Sequence, residues 1–186
     1  YEQAQVQIRR ITGLLTDLVI ATEKSDSPAL EELQLDETVA GSLENLRGSL
    51  SQNGITVVNQ IPAGLPPLLV EREKFQRLFD LLLKDEMISL SPGHHIFLSA
   101  RLGSEGEQEL KIELRDDGPG LPKEALRSVF DPFSLPIGNH HEFGVNLMAC
   151  YFIVYHHGGK IDVQNQEGQG VTFTLTFPVR PKIASS

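Results

Sequence analysis

The chain has one cysteine, Cys150, in 186 residues. It therefore forms no intramolecular disulfide and no cysteine-based metal cluster, and a reducing compartment suits it best. Lysine and arginine are scarce and unclustered: 16 basic against 25 acidic residues leave a formal charge of −9. Phosphate neutralisation supplies most of the affinity for duplex nucleic acid, so DNA and RNA are poor partners for this chain. No apolar run approaches the ~20 residues of a membrane span and no secretory signal is present, so the expectation is a cytoplasmic chain without membrane contact. No internal repeat, low-complexity stretch, Ser-His-Asp order or nucleophile elbow is found, which leaves hydrolase chemistry without support. The six histidines fall in three adjacent pairs, and neighbours on a strand or helix point apart, so no metal site is expected. The chain opens inside a helical pattern and reads as part of something longer, compatible with a membrane-anchored parent.

What is present has two parts. Residues 1–24 place Ala4, Ile8, Ile11, Leu15 and Leu18 at 4-3-4-3 spacing, a heptad seam that predicts a dimerisation helix. Residues 25–35 read as a linker, because Pro28 blocks continuation. Residues 36–180 read as one domain, and 181–186 as a tail. A helix is predicted to start at Asp36 as N-cap, with Val39, Leu43, Leu46 and Leu50 on one face. The segment "GITVV" predicts a strand, and "IPAGLPPLLV" a connection into another. From Glu71 to about Leu90 the period is helical, burying Phe75, Leu78, Phe79 and Leu82. "HHIFLSARL" and "ELKIELR" alternate at period two and predict a β-hairpin; "GKIDVQ" and "GVTFTLTFP" predict a second. Between them lie a short helix "PKEALRSVF", a loop at 134–142 and a helix from Phe143 to His157, closed by Gly158-Gly159. The fold class is α+β: a two-layer sandwich whose mixed, mostly antiparallel sheet is covered by helices on one face, preceded by one long helix.

The chemistry concentrates in "ELRDDGPGLP". A strand ending in Asp-x-Gly-x-Gly holds Asp116 at the sheet end, and Gly118 and Gly120 let the backbone bend and approach a flat or anionic ligand. An ionised carboxylate only accepts hydrogen bonds, so it selects a donor such as an exocyclic amine. Asp117 is read as a solvated neighbour. Further on come "VFDPFS", a loop, "EFGVNL" opening a helix, "HHGGKIDVQ" and "GQGVTFTLTFP". This ordered series resembles the ATP-binding catalytic domain of sensor histidine kinases, within the GHKL fold shared with gyrase and MutL, over residues 36–180. Residues 1–24 resemble the second helix of that family's dimerisation hairpin; the first helix, which carries the phosphoacceptor histidine, has no counterpart here.

The resemblance implies ATP as ligand, with Asp116 accepting the adenine amino group and Gly118 and Gly120 shaping the base pocket. It makes Phe130 and Phe133 the anchor of a lid at 134–142. Gly144 and Asn146 fall in the glycine box where helix-end amides meet phosphates. Gly170 and Thr172 close the pocket behind the base. It further implies transfer of the γ-phosphoryl group to a histidine, a response-regulator partner and a homodimer through residues 1–24. Three departures stand against full activity. Asp80 and Lys84 occupy the positions of the family's Asn-x-x-x-Asn pair, taken here as the catalytic positions. The second of these normally binds Mg²⁺, and an ammonium has no lone pair with which to do so. Lys84 either contacts a phosphate as a point charge or pairs with Asp80 one turn away. Glu142 and Asn146 replace glycines, and Val171 replaces a hydroxyl residue. Two readings follow: a histidine kinase catalytic domain with an atypical magnesium end, or a degenerate pseudokinase module used for dimerisation or docking.

Overall fold

The computed structural model describes residues 29–104, 108–121 and 142–179 except 167, with isolated positions 13, 16, 19 and 22 before them; for 142–145 and 166 it describes the backbone alone. Gly13, Thr16, Val19 and Thr22 are helical and exposed. The seam residues Ala4, Ile8, Ile11, Leu15 and Leu18 lie outside the described residues, as do the short helix at 122–130, the loop up to residue 141 and the tail.

The elements run β1 (Leu30–Leu33), α1 (Leu35–Gln52), β2 (Thr56–Asn59), β3 (Leu68–Glu71), α2 (Arg72–Ser89), β4 (His95–Leu102), β5 (Glu109–Asp116), α3 (Glu142–His156), β6 (Lys160–Gln166) and β7 (Gly170–Pro178). Five strands form one sheet in the order β2-β4-β5-β7-β6, parallel between β2 and β4 and antiparallel elsewhere. The two hairpins appear where alternation predicts them, and the architecture is the expected α+β sandwich. Period-two burial puts Ile96 and Leu98 of β4, Ile112 and Leu114 of β5, and Phe173 and Leu175 of β7 in one core with the helices. The other sheet face is polar, crossed by Arg115 stacked 4.7 Å over Phe97.

Helix α2 is central. Leu81, Leu82 and Leu83 are all buried, and three consecutive positions sweep about 200° of a helix surface. It therefore needs partners on more than one side. Phe75 meets Phe79 and Phe177 edge-on, both at 5.3 Å. On the α1 side, the Gln76 amide donates to the Thr38 carbonyl (3.3 Å) and to the Ser42 hydroxyl. On the α3 side, the buried Cys150 thiol reaches the Leu78 carbonyl (3.8 Å).

Two boundaries differ from expectation. Residues 25–35, read as a linker, include β1, which pairs antiparallel with β3 from Leu30–Glu71 to Leu33–Leu68. Arg72 reinforces that pair through Nε and Nη2 to Glu31 (2.9 and 2.7 Å). Helix α1 begins at Leu35, with Gln34 at the N-cap and no side-chain cap bond. Asp36 instead sits in the first turn, where its charge complements the helix dipole. Helix α3 ends as read: Gly158 N–H donates to Tyr155 (3.0 Å) and Gly159 N–H to Val154 (2.9 Å), a Schellman closure.

Candidate nucleotide site

Asp116 ends β5 and is only 3% exposed. Burying a carboxylate is tolerated only with hydrogen bonds to it, and both oxygens receive one. Gly118 N–H donates to Oδ1 and Val171 N–H to Oδ2, each at 2.7 Å. The carboxyl is thus fixed from its own turn and from the neighbouring strand, and each oxygen retains a lone pair for a ligand. The contribution of Val171 comes from its backbone, so the missing hydroxyl at that position leaves this bond intact.

Two glycines make the arrangement possible. A Cβ on Gly170 would lie 2.2 Å from the Asp116 carbonyl oxygen, and its φ of +93° is in the region that side chains avoid. A Cβ on Gly118 would lie 2.5 Å from Leu90 and 2.7 Å from Asp116 Oδ1. The turn after Asp116 is also held from outside. Asn165 of β6 receives Leu121 N–H at Oδ1 and donates from Nδ2 to the Leu121 carbonyl, both at 2.7 Å. Gly168 N–H donates to the Pro119 carbonyl (3.0 Å).

Asp117 is more than a solvated neighbour. It accepts from His95 N–H (2.7 Å), lies 2.9 Å from His95 Nδ1, and returns its own N–H to the His95 carbonyl (3.2 Å). Burial alone would raise its pKa, but the bonds from His95 and the charges of His95 and His94 hold it below the ordinary carboxylate value. The pair pins the end of β5 to the start of β4.

A cavity of about 20 Å³ lies against Asp116, walled by Glu86, Leu90, Gly120, Leu121, Val171 and Phe173 among others. That is room for about one water. A more open groove of about 460 Å³ lies elsewhere, bounded by Leu30, Leu68, His157 and Val179, with no carboxylate among the described residues that line it.

The structure brings Asp116, Gly118, Gly120 and Gly170 together and separates others from them. Thr172 falls on the polar face: burial along β7 alternates, with Val171 and Phe173 inward. Gly144 lies in the first turn of α3, among the amides a helix leaves unpaired. Asn146 lies in the second turn, past those amides, and its buried side chain neighbours Asp85 of α2. Phe130 and Phe133 lie outside the described residues. Asp80 and Lys84 share a half-buried face with Arg77; burial and the Arg77 charge lower the Lys84 pKa, against the pull of Asp80. That face is turned about 200° from Glu86, so neither Asp80 nor Lys84 lines the cavity. Among the described residues no three His, Cys, Asp or Glu side chains converge as a cation site.

Sequence reasoning missed Glu86 and Asn165. Glu86 is 3% exposed, and its Oε2 has no hydrogen-bond partner among the described residues. Burial first, and then the Asp116 carboxylate, push its pKa well up. Asp85, beside it and also buried, is raised by burial and by Glu86, against a smaller opposing effect of Asn146. The signal for Glu86 was present: it extends the apolar stripe Phe75, Phe79, Leu82 at helical spacing, and Leu90 follows four residues on.

Residues 71–181 match the family of histidine kinase-, DNA gyrase B- and HSP90-like ATPases. Among curated proteins, Sporulation kinase E of Bacillus subtilis is 24% identical over 94% of this chain and 23% of its own length. Adaptive-response sensory kinase SasA of Synechococcus elongatus is 27% identical over 96% of this chain and 47% of its own. The chain thus spans less than half the length of these relatives. Among solved structures, histidine kinase ThkA in complex with response regulator protein TrrA aligns with a TM-score of 0.75 at 18% identity, over 96% of this chain and 50% of that one. Acinetobacter baumannii histidine kinase AdeS aligns at 0.74 and 18%, over 96% and 82%. With the family model matching more than half of the chain, this chain belongs to the histidine kinase-, DNA gyrase B- and HSP90-like ATPases, and its sandwich is the fold of solved histidine kinase catalytic domains.

Proposed function

We propose that the chain binds ATP with the adenine amino group on Asp116, and that the parent protein passes the γ-phosphoryl group to a histidine of an upstream helix. A response regulator then receives it, and residues 1–24 pair two copies into a homodimer. The observation that carries this reading is a buried aspartate held by two backbone amides at a cavity mouth. Each bond leaves its oxygen a lone pair for an incoming donor. Chemistry of this kind relies on positioning and on electrostatic stabilisation of the phosphates. For that task the amides opening α3, Gly144 among them, supply the positive end of a helix. No step is assigned to Mg²⁺, because Lys84 stands where the family's second Asn would bind it and an ammonium offers no lone pair. A regulator partner is supported by ThkA, a structural neighbour solved with one.

Calorimetric titration with ATP and ADP tests the reading, beside Asp116→Asn. The amide would set an N–H₂ against one of two N–H donors and remove a charge-assisted acceptor, at a cost of about 1.5–3 kcal/mol, or roughly 10–150-fold in affinity. Wild-type binding that Asp116→Asn does not weaken would overturn the site. The pseudokinase reading is favoured by Lys84 at the magnesium position. Absence of binding at millimolar nucleotide, with cooperative unfolding intact, would decide for it.

A further inference from the structure

The acid that shares the base cavity with Asp116 has no part in the family pattern described above. Glu86 reaches the cavity from α2 while Asp116 reaches it from β5. Its side chain is almost wholly buried, and Oε2 has no partner among the described residues. Two ionised carboxylates around one cavity of about 20 Å³ would repel each other with little solvent to screen them. Both Asp116 oxygens already accept an amide hydrogen bond, at 2.7 Å each. Glu86 is the member left to carry the proton, in keeping with the rise produced by its burial and by Asp116. A protonated carboxyl has what Asp116 lacks, an O–H donor.

One acceptor beside one donor is a recognition pattern. The amino group of adenine is a donor, and the ring nitrogens on either side of it, N1 and N7, are acceptors. Resting on the nucleotide reading above, we infer that Glu86 is a second base-recognition group, whose carboxylic acid donates to a ring nitrogen flanking the amino group that Asp116 accepts. It would make the pocket read two adjacent positions of the base, and it explains why an acid stands on an apolar stripe with an oxygen unpaired. Orphaned buried polar atoms are costly, and a bound base relieves this one.

The test is a cycle of nucleotide titrations. Wild type, Glu86→Ala, Glu86→Gln and Asp116→Asn are each titrated with ATP, 1-deaza-ATP and 7-deaza-ATP. In the wild type, one deaza analogue should bind about 10-fold more weakly than ATP. Glu86→Ala should lose a similar factor with ATP and show no further loss with that analogue, and Glu86→Gln, whose amide also donates, should recover most of it. If Glu86→Ala binds ATP as tightly as wild type, or if neither analogue is discriminated, the inference fails while the Asp116 site stands. If the wild type binds no nucleotide, or Asp116→Asn is without effect, the site reading itself fails and takes this one with it.

Discussion

At the scale of single residues, this site is made by what the chain leaves out as much as by what it carries. Gly170→Ala drives a methyl against the Asp116 carbonyl at an unfavourable φ. Its expected cost is about 2 kcal/mol or more, read as a lower urea midpoint with unchanged m-value. Gly118→Ala meets chiefly the flexible end of Leu90 and the Asp116 carboxyl, so it should cost less stability and more nucleotide affinity. His157 gives the pH dependence. Its Nε2 accepts from Glu71 N–H (3.0 Å), and its Nδ1 lies 2.7 Å from the Ile153 carbonyl, which fixes a neutral ring. Burial chiefly, with Lys74 and His156, lowers its pKa from 6.5, against Glu71 and the Ile153 bond. A histidine harder to protonate folded than unfolded gives its full contribution above about pH 6.5 and loses it as pH falls toward the lowered value. The stability difference between wild type and His157→Gln should therefore shrink between pH 7.5 and 5 in urea unfolding. Asp116 and its glycines were legible in the sequence because a strand followed by Asp-x-Gly-x-Gly admits few conformations. Thr172 faces away from the cavity because neighbours in a strand point to opposite faces. The register that put Lys84 at the magnesium position was anchored on Gln76, which bonds Ser42 and Thr38 of the neighbouring helix.

At the scale of elements, strong periodicity made the two hairpins and the helices from Leu35 and Arg72 readable. The pairing of β1 with β3 was not readable, since "LEEL" neither alternates nor carries β-branched residues, and its stability comes from partners 35 to 41 residues on. Register partners of that kind are tertiary facts. So is the Asn165 clamp: an asparagine in a hairpin strand predicts a turn, yet here it joins β6 to the segment after β5. Replacing it with alanine removes both bonds to Leu121, worth about 1 kcal/mol each. Asn165→Ala should unfold at lower urea and bind ATP more weakly, with Asp116 untouched. Equal affinity for the two proteins would show that the clamp does not position the pocket rim.

At the scale of the whole molecule, two adjacent buried acids, Asp85 and Glu86, sit inside the layer of helices and not on its surface. Both have raised pKa values, so their contribution is fullest below the unfolded carboxylate pKa and is lost as pH rises through the folded one. Asp85→Asn should accordingly stabilise the protein at pH 8, by about 1–3 kcal/mol. The gain should vanish near pH 4, measured by urea midpoints at the two pH values. Folded proteins retain such costs where function requires them.

The cavity beside Asp116 also sets a clock. On the proposed reading, a space that holds one water takes a purine only once Leu90, Leu121 and their neighbours part, so binding should draw on the fraction of molecules that is open. Observed affinity is the intrinsic affinity scaled by that fraction. In stopped-flow mixing, the approach to equilibrium should level off with rising ATP at the frequency with which the walls separate.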